Sequence, residues 1–109
     1  MIEFTTVPQV FFIPEHYLSD SDIYVTYRDR NRKLILTIKN VIVTELEDKG
    51  SYLEFELTQQ QTSLFSNYKS IDVQVNWIKD DKRYATKIKT IPVYENLIKE
   101  VLPIVETEG

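Results

Sequence analysis

The sequence predicts an all-β protein, an antiparallel sandwich of about seven or eight short strands. Apolar and polar residues alternate from Ile71 to Trp77, which is the period of a strand with one buried face and one wet face. A polar turn and a second β-rich run, Tyr84 to Val93, follow this strand, so the pair predicts a hairpin. The apolar residues are mainly Ile, Val, Tyr and Phe, which suit a pleated sheet, whereas the chain has a single Met and a single Ala.

Length and composition restrict the class of protein. The chain has 109 residues, which predicts a single domain over residues 1–109 with one hydrophobic core. It contains no cysteine, so disulfides, thiolate chemistry and cysteine-based zinc sites are excluded. The net charge of −4 argues against nucleic acid as a partner. No apolar run approaches the ~20 residues that span a membrane, and the first residues do not have the pattern of a signal peptide.

Two prolines mark the first element. Pro8 and Pro14 flank the apolar run Val10–Ile13. Proline cannot donate a hydrogen bond to a neighbouring strand, so this pattern indicates an edge strand or an extended N-terminal arm over residues 1–14. The next strand, Ile23–Tyr27, places alternate apolar side chains on one face.

Two further hairpins are predicted in the middle of the chain. Residues 28–32 turn the chain into a strand on which Leu34, Leu36 and Ile38 share a face. Gly50 follows a polar turn between two strand-like runs, and a glycine in the left-handed conformation would close that hairpin with a bulge. The predicted core residues are Val25, Leu36, Leu53, Phe55, Leu57, Val73, Val75, Trp77 and Ile88.

Two short helical segments are also expected. The polar run Gln60–Phe65 predicts one helical turn that places Leu64 and Phe65 on the core. The segment Tyr94–Leu102 has apolar residues at helical spacing, and Asn96 is a suitable N-cap for a short C-terminal helix.

Three groups of residues are candidates for chemistry. His16 is the only histidine, and no motif supplies the partners that a general base or ligand needs, so we expect a histidine in a surface loop. Asp20 and Asp22 offer too few oxygen ligands for a calcium loop, so a solvated loop is expected. Glu54 and Glu56 lie on one strand face about 7 Å apart. Paired carboxylates at such a distance occur in glycosidases, but the pattern favours the wet face of a sheet.

The sequence therefore predicts no catalytic residue, no metal ligand and no cofactor, and the protein is not expected to be an enzyme. Two basic clusters, within residues 28–33 and 79–89, have acidic neighbours, which favours solvation and protection of sheet edges. Exposed aromatic residues make protein interfaces or stack on sugars. The candidate interaction surface consists of Phe11, Phe12, Tyr24, Tyr52, Tyr84, Arg28, Arg30, Arg32, Lys82 and Arg83.

Residues 55–102 resemble small proteins encoded by phages and prophages of Gram-positive bacteria. Leu57–Phe65 is similar to their element L-T-Q-x-x-T-x-x-F, and Ile71–Trp77 is similar to the strand V-x-I-Q-V-R that follows it. Ile91–Leu97 is similar to their terminal segment V-x-V-x-x-x-L. The resemblance implies an immunoglobulin-like β-sandwich in a small virion-associated protein of the tail or baseplate region. It brings no catalytic residues.

The first functional hypothesis is a non-enzymatic phage structural or adaptor protein of the tail, baseplate or neck region. Its expected partners are other virion proteins and further copies of the chain, with no membrane and no nucleic acid. The expected location is the virion, and the cytoplasm of the bacterial host during assembly. The alternative is a carbohydrate- or polyanion-binding sandwich that uses exposed tyrosines and the basic clusters. A third hypothesis is a glycosidase-like enzyme that uses Glu54 and Glu56.

Overall fold

The computed structural model describes residues 1–31 and 33–104. Within these residues the chain forms eight β-strands and one short helix. The strands are β1 (Val7–Pro14), β2 (Asp22–Arg28), β3 (Leu34–Ile38), β4 (Ile42–Leu46), β5 (Gly50–Leu57), β6 (Ser70–Lys79), β7 (Lys82–Ala85) and β8 (Lys89–Pro92). The helix, α1 (Gln59–Ser63), connects β5 to β6. Over the described ranges, no helix has the length and apolar character needed to cross a membrane.

The strands form two antiparallel sheets with the connectivity of an immunoglobulin-like sandwich. A three-stranded sheet has the order β1-β5-β4, and a five-stranded sheet has the order β3-β2-β6-β7, with β8 also paired to β6. If β1 is taken as strand B, the sheets correspond to B-E-D and C′-C-F-G. The predicted all-β sandwich is therefore confirmed. β1 is an edge strand, and it pairs with β5 from Val7 to Pro14.

The hydrophobic core lies between the two sheets. The predicted core residues on β5 and β6 are buried, as is Val25 on β2, and the half-buried Leu36 packs against them. Tyr27 is also fully buried, and its hydroxyl donates a hydrogen bond to Gln9 Oε1 of the other sheet at 2.9 Å. Burial raises the pKa of the Tyr27 hydroxyl above its ordinary value.

The prediction that Leu34 shares the face of Leu36 is wrong. Leu36 pairs with Tyr27 of β2, whereas Leu34 pairs with the next residue along β2, Arg28. Ile35 is therefore an extra residue on β3, and such a bulge reverses the side-chain alternation that follows it. As a result, 66% of Leu34 is exposed on the outer face.

The prediction that Ile88 belongs to the core is also wrong. β7 ends at Ala85 and β8 begins at Lys89, so the second arm of the hairpin is interrupted. Between the two strands, Thr86 donates its N–H to the Val75 carbonyl at 2.9 Å, and its hydroxyl accepts the Val75 N–H at 3.1 Å. The alternation does not continue through this break, and Ile88 is 46% exposed.

Two hairpin turns use residues with positive φ. Asp80 and Asp81, with φ of 52° and 61°, form the two-residue loop between β6 and β7. Positive φ at both central residues is the geometry of a type I′ turn, whose twist matches that of the strands. The predicted hairpin at Gly50 is confirmed, with a φ of 142° at the first residue of β5, but the pairing of β4 with β5 is regular and the predicted bulge is not formed. A Cβ there would overlap the carbonyl oxygen of Ile13, so β1 also requires glycine at this position.

The predicted helical turn is confirmed as α1. The Thr58 hydroxyl accepts the Gln61 N–H at 3.2 Å, and the Gln61 side chain accepts the Thr58 N–H at 2.9 Å, which is a capping box. Thr62 and Phe65 are three residues apart, and both are fully buried. Leu64, which was predicted to pack on the core, is 49% exposed, because it lies on the other side of that helical turn.

The helix predicted over Tyr94–Leu102 is not formed. Two backbone N–H groups of this segment bond to side chains from other parts of the molecule. Glu3 accepts the Asn96 N–H at 3.1 Å, and Gln59 accepts the Leu102 N–H at 2.8 Å. A helix would direct the latter N–H to the carbonyl four residues earlier. We call residues 94–104 the strap.

Candidate interaction surfaces

The predicted interaction residues do not form one continuous surface. Phe12 and Tyr52 face outward on the three-stranded sheet, where they lie opposite each other on β1 and β5. Tyr24, Arg28 and Arg83 face outward on the five-stranded sheet, on β2 and β7. The sandwich therefore separates them onto two opposite faces.

Two of the predicted aromatic residues contribute to packing. Phe11 stacks on Phe55, with ring centroids 6.0 Å apart, and is half-buried against the core. Tyr84 stacks on Trp77 at 5.7 Å and is 37% exposed. His16 completes this aromatic cluster, with its ring centroid 5.1 Å from that of Trp77. His16 lies in the loop between β1 and β2, as predicted, but it is half-buried against the two aromatic rings.

The remaining predicted residues lie at turns. Arg30 is exposed in the turn between β2 and β3, and Lys82 is exposed beside the turn between β6 and β7. Arg32 lies outside the described residues. Asp20 is exposed in the loop before β2, as expected, and Asp22 is the exposed first residue of β2. In residues 1–31 and 33–104, no group of three or more His, Asp or Glu side chains could hold a metal ion.

The outer side of the three-stranded sheet carries four large apolar residues, Val10, Phe12, Ile42 and Tyr52, which we call the apolar face. The strand register brings them together, because Val10 and Ile42 flank Glu54 of β5. The rings of Phe12 and Tyr52 are 4.9 Å apart. Val10 and Ile42 are 59% and 67% exposed. An antiparallel sheet with one buried face usually turns a polar face to water, so this face is the strongest candidate for a contact with another molecule.

The apolar face also contains acidic side chains. Glu54 and Glu56 are both exposed there, as the alternation predicted, and Glu54 lies between Val10 and Ile42. None of the outward positions on β1, β4 and β5 holds a lysine or an arginine. Val10 and Ile42 were not among the predicted surface residues. The available signal was the unbroken apolar run at residues 10–13, because a strand that is apolar on both faces is usually covered on both.

The outer side of the five-stranded sheet carries hydrogen-bonding groups. Asp72 is 8% exposed, and it accepts the Thr90 hydroxyl at 2.8 Å and the Arg28 Nε at 3.4 Å. Asn76 Oδ1 accepts two N–H groups of Arg83, at 3.3 and 3.2 Å. These partners hold both guanidinium groups in place. We call this surface the polar face, and its members are Tyr24, Thr26, Arg28, Thr37, Asp72, Gln74, Asn76 and Arg83.

Two adjoining cavities lie on the polar face. The smaller, of about 100 Å³, is lined by the Arg28–Asp72 pair. The larger, of about 350 Å³, is lined by Tyr24 and Arg83, and Thr26 lines both cavities. An aromatic ring beside fixed hydrogen-bonding groups is suited to a sugar, and a guanidinium group is suited to an anion.

The comparisons with known proteins supply no relative. No protein-family model, no curated protein and no solved structure matches this chain. The candidate surfaces are therefore assigned from their geometry and chemistry alone. The similarity of residues 55–102 to small phage proteins stays a prediction.

Proposed function

We propose that the protein is a non-catalytic structural or adaptor module that works through protein–protein contacts. The observation that carries this proposal is the apolar face, because contiguous exposed apolar side chains mark contact sites. Aromatic residues such as Phe12 and Tyr52 are enriched in protein interfaces. Glu54, which lies between Val10 and Ile42, and the neighbouring Glu56 favour a partner that presents basic residues among its apolar ones.

The setting that we propose for this module is a phage virion, in its tail, baseplate or neck region. The resemblance of residues 55–102 to small phage proteins supports this setting. The partners would be other virion proteins together with further copies of the chain. The protein would be present in the cytoplasm of the bacterial host during assembly and would then enter the particle.

Two exposed aliphatic residues provide a matched test of the apolar face. Ile42 on the apolar face is 67% exposed, and Leu34 on the opposite side of the sandwich is 66% exposed. Ile42→Lys should lower the amount of the chain in purified phage particles by about tenfold or more, because a charge would be buried against the partner. Leu34→Lys should leave that amount unchanged. Quantitative mass spectrometry of the particles measures both outcomes.

Circular dichroism and urea unfolding of the two variants control for folding. Incorporation of Ile42→Lys at the wild-type level would contradict the role of the apolar face. Absence of the wild-type chain from particles would contradict the virion setting, and the apolar face would then have to serve a partner elsewhere.

A second candidate function is the binding of a carbohydrate or polyanion on the polar face, and the cavity beside Tyr24 favours it. Tyr24→Ala should weaken binding to a glycan, since stacking on the ring would be lost. Arg83→Ala should lower the salt concentration at which the protein leaves a heparin column. Tyr17→Ala, at another exposed tyrosine, is the control. A wild-type protein that binds no glycan on an array and passes through heparin at low salt would exclude this candidate.

A further inference from the structure

One edge of the sandwich has no partner strand. β1 is an edge of the three-stranded sheet, and in the part of the chain that the structure describes nothing pairs with its outer side. Pro8 and Pro14 lack N–H groups and so protect the two ends of this edge. Residues 9–13 keep their N–H groups, and alternate ones point away from β5. In an immunoglobulin-like sandwich this edge is the position of strand A.

A groove runs along this edge, between β1 and the segment Thr86–Pro92. It consists of two adjoining cavities of about 230 and 430 Å³. Val10, Phe11 and Lys89 line both of them. The β1 wall is therefore apolar, while the opposite wall carries the exposed ammonium groups of Lys87 and Lys89. We call it the β1–β8 groove.

The strap has the complementary character. Buried Glu3 and Gln59 hold its backbone through hydrogen bonds to residues 96 and 102. Its large apolar side chains face the solvent, with Leu97 95% exposed and Ile104 74% exposed. This arrangement is the reverse of ordinary packing, in which the apolar side chains would face the sandwich.

The charges of the strap and of the groove also match. Glu95, Lys99 and Glu100 are exposed in the strap, and Lys87 and Lys89 are exposed at the groove. Lys99 pairs with Glu3 at 2.6 Å and with Glu95 at 3.4 Å, so Glu100 is the strap carboxylate that we match with the basic wall of the groove. No strap residue lines either cavity of the groove in its own copy.

We propose that the strap of one copy docks into the β1–β8 groove of a second copy. The second copy is the occupant because it presents the complementary charges and the exposed apolar side chains together. Docking would bury Leu97 against the apolar β1 wall and place Glu100 near Lys89. The segment would lie along the strand A position, where its backbone can bond to the free groups of β1. Strap and groove are different surfaces, so the contact is heterologous and builds a ring, a swapped dimer or a filament.

This self-association rests on the proposed function, in which further copies of the chain are partners, and it assigns their contact to the strap and the groove instead of the apolar face as a whole. Val10 and Phe12 belong to both surfaces. Ile42 lines neither cavity of the groove. Ile42→Lys should therefore leave self-association unchanged, so the two proposals can fail separately.

Sedimentation velocity over a concentration series at low salt tests the docking. The wild-type protein should self-associate, and Leu97→Asp should raise the apparent dissociation constant by about 30-fold or more. Leu97 is almost fully exposed, so this change does not disturb folding. Leu64→Asp is the matched control, because Leu64 is 49% exposed at the end of α1 and belongs to neither surface. A wild-type protein that stays monomeric at every concentration would overturn the proposal, and so would equal effects of the two variants.

A charge exchange tests the pairing of strap with groove. Glu100→Lys and Lys89→Glu should each weaken self-association about fivefold, as expected for an exposed ion pair. A mixture of the two variants should recover the wild-type affinity, because the altered strap then meets the altered groove. If the mixture associates no more tightly than either variant alone, the assigned contact is wrong.

Disulfide trapping tests directly which residues of two copies meet, because the natural chain has no cysteine that could form other disulfides. Val10→Cys and Leu97→Cys, mixed and oxidised, should form a disulfide between one chain of each kind. Mass spectrometry of the cross-linked peptides identifies the pair. Exclusive linkage of Val10→Cys chains to each other would show the apolar faces packing together and would overturn strap docking.

Discussion

Gly50 is the position at which the backbone most strictly limits the choice of residue. Its φ of 142° is unfavourable for any residue with a Cβ, and a Cβ would meet the Ile13 carbonyl and lie 2.9 Å from the Glu15 nitrogen. Gly50→Ala should therefore lower the free energy of unfolding by roughly 1–3 kcal/mol from backbone strain alone, and the overlap with β1 adds to this loss. Urea unfolding followed by the fluorescence of Trp77 measures the change.

Lys49→Ala is the control for this prediction. Lys49 is exposed in the same turn, and its carbonyl accepts the Glu15 N–H at 2.9 Å, a bond that alanine retains. The stability of Lys49→Ala should stay within about 0.5 kcal/mol of the wild type. A Gly50→Ala protein as stable as the control would mean that β1 can move away from the turn.

Individual inward positions could be predicted where strand pairing is regular. On β5 and β6 the alternation identifies the buried residues, including Trp77, which is 3% exposed. It fails at Leu34 and at Ile88, where a bulge and a strand break interrupt the alternation. Both irregularities depend on the register with a partner strand, and the local sequence does not contain that information.

The helix α1 is an element whose short length makes its cap important. It has five residues, and an isolated helix of that length is unstable in water. Thr58→Ala removes the hydroxyl that accepts the Gln61 N–H and should lower the free energy of unfolding by about 1 kcal/mol. Thr58→Ser keeps the hydroxyl and should stay near the wild type. Thermal unfolding by circular dichroism compares the three proteins. Equal stability of the alanine and serine variants would show that packing of Phe65 alone maintains the turn.

Among the elements, the strap shows why helical spacing is not sufficient evidence for a helix. Its apolar residues repeat at the right intervals, but a helix needs a surface on which to bury that face. The sandwich holds the strap backbone through two polar side chains, Glu3 and Gln59, and leaves Leu97 95% exposed. By contrast, α1 and the turn that follows it place Thr62 and Phe65 on the core, and there the helical prediction is confirmed.

At the scale of the whole molecule, the sequence predicted the sandwich but only part of the candidate surfaces. Phe12 and Tyr52 were selected as exposed aromatics, and the register then adds Val10 and Ile42 from other strands. The apolar face, the β1–β8 groove and the hydrogen bonds that hold the strap each join residues that are far apart in the chain. The hydrogen bond between Lys99 and Glu3, for instance, spans 96 positions. Such relations follow from topology, and strand periodicity cannot supply them.

The hydrogen bond between Lys99 and Glu3 also leads to a prediction of how the stability of the whole molecule depends on pH. Glu3 is 1% exposed, and it accepts the Lys99 ammonium at 2.6 Å and the Asn96 N–H at 3.1 Å. These bonds, that of Lys99 above all, hold the pKa of Glu3 below its usual value of 4.5. A carboxyl with a lowered pKa stabilises the folded state above its unfolded pKa, and this contribution is lost as the pH falls through the folded pKa.

Glu3→Gln should therefore be less stable than the wild type near neutral pH, and the difference should shrink as the solution is acidified below about pH 4. Glu100→Gln, at an exposed position of the strap, is the control and should not show this convergence. Urea unfolding at a series of pH values measures the free energy of unfolding of the three proteins. If the difference in the free energy of unfolding between wild type and Glu3→Gln stays constant with pH, Glu3 stabilises the fold through its shape and not through its charge. In that case the strap would be held mainly by Gln59.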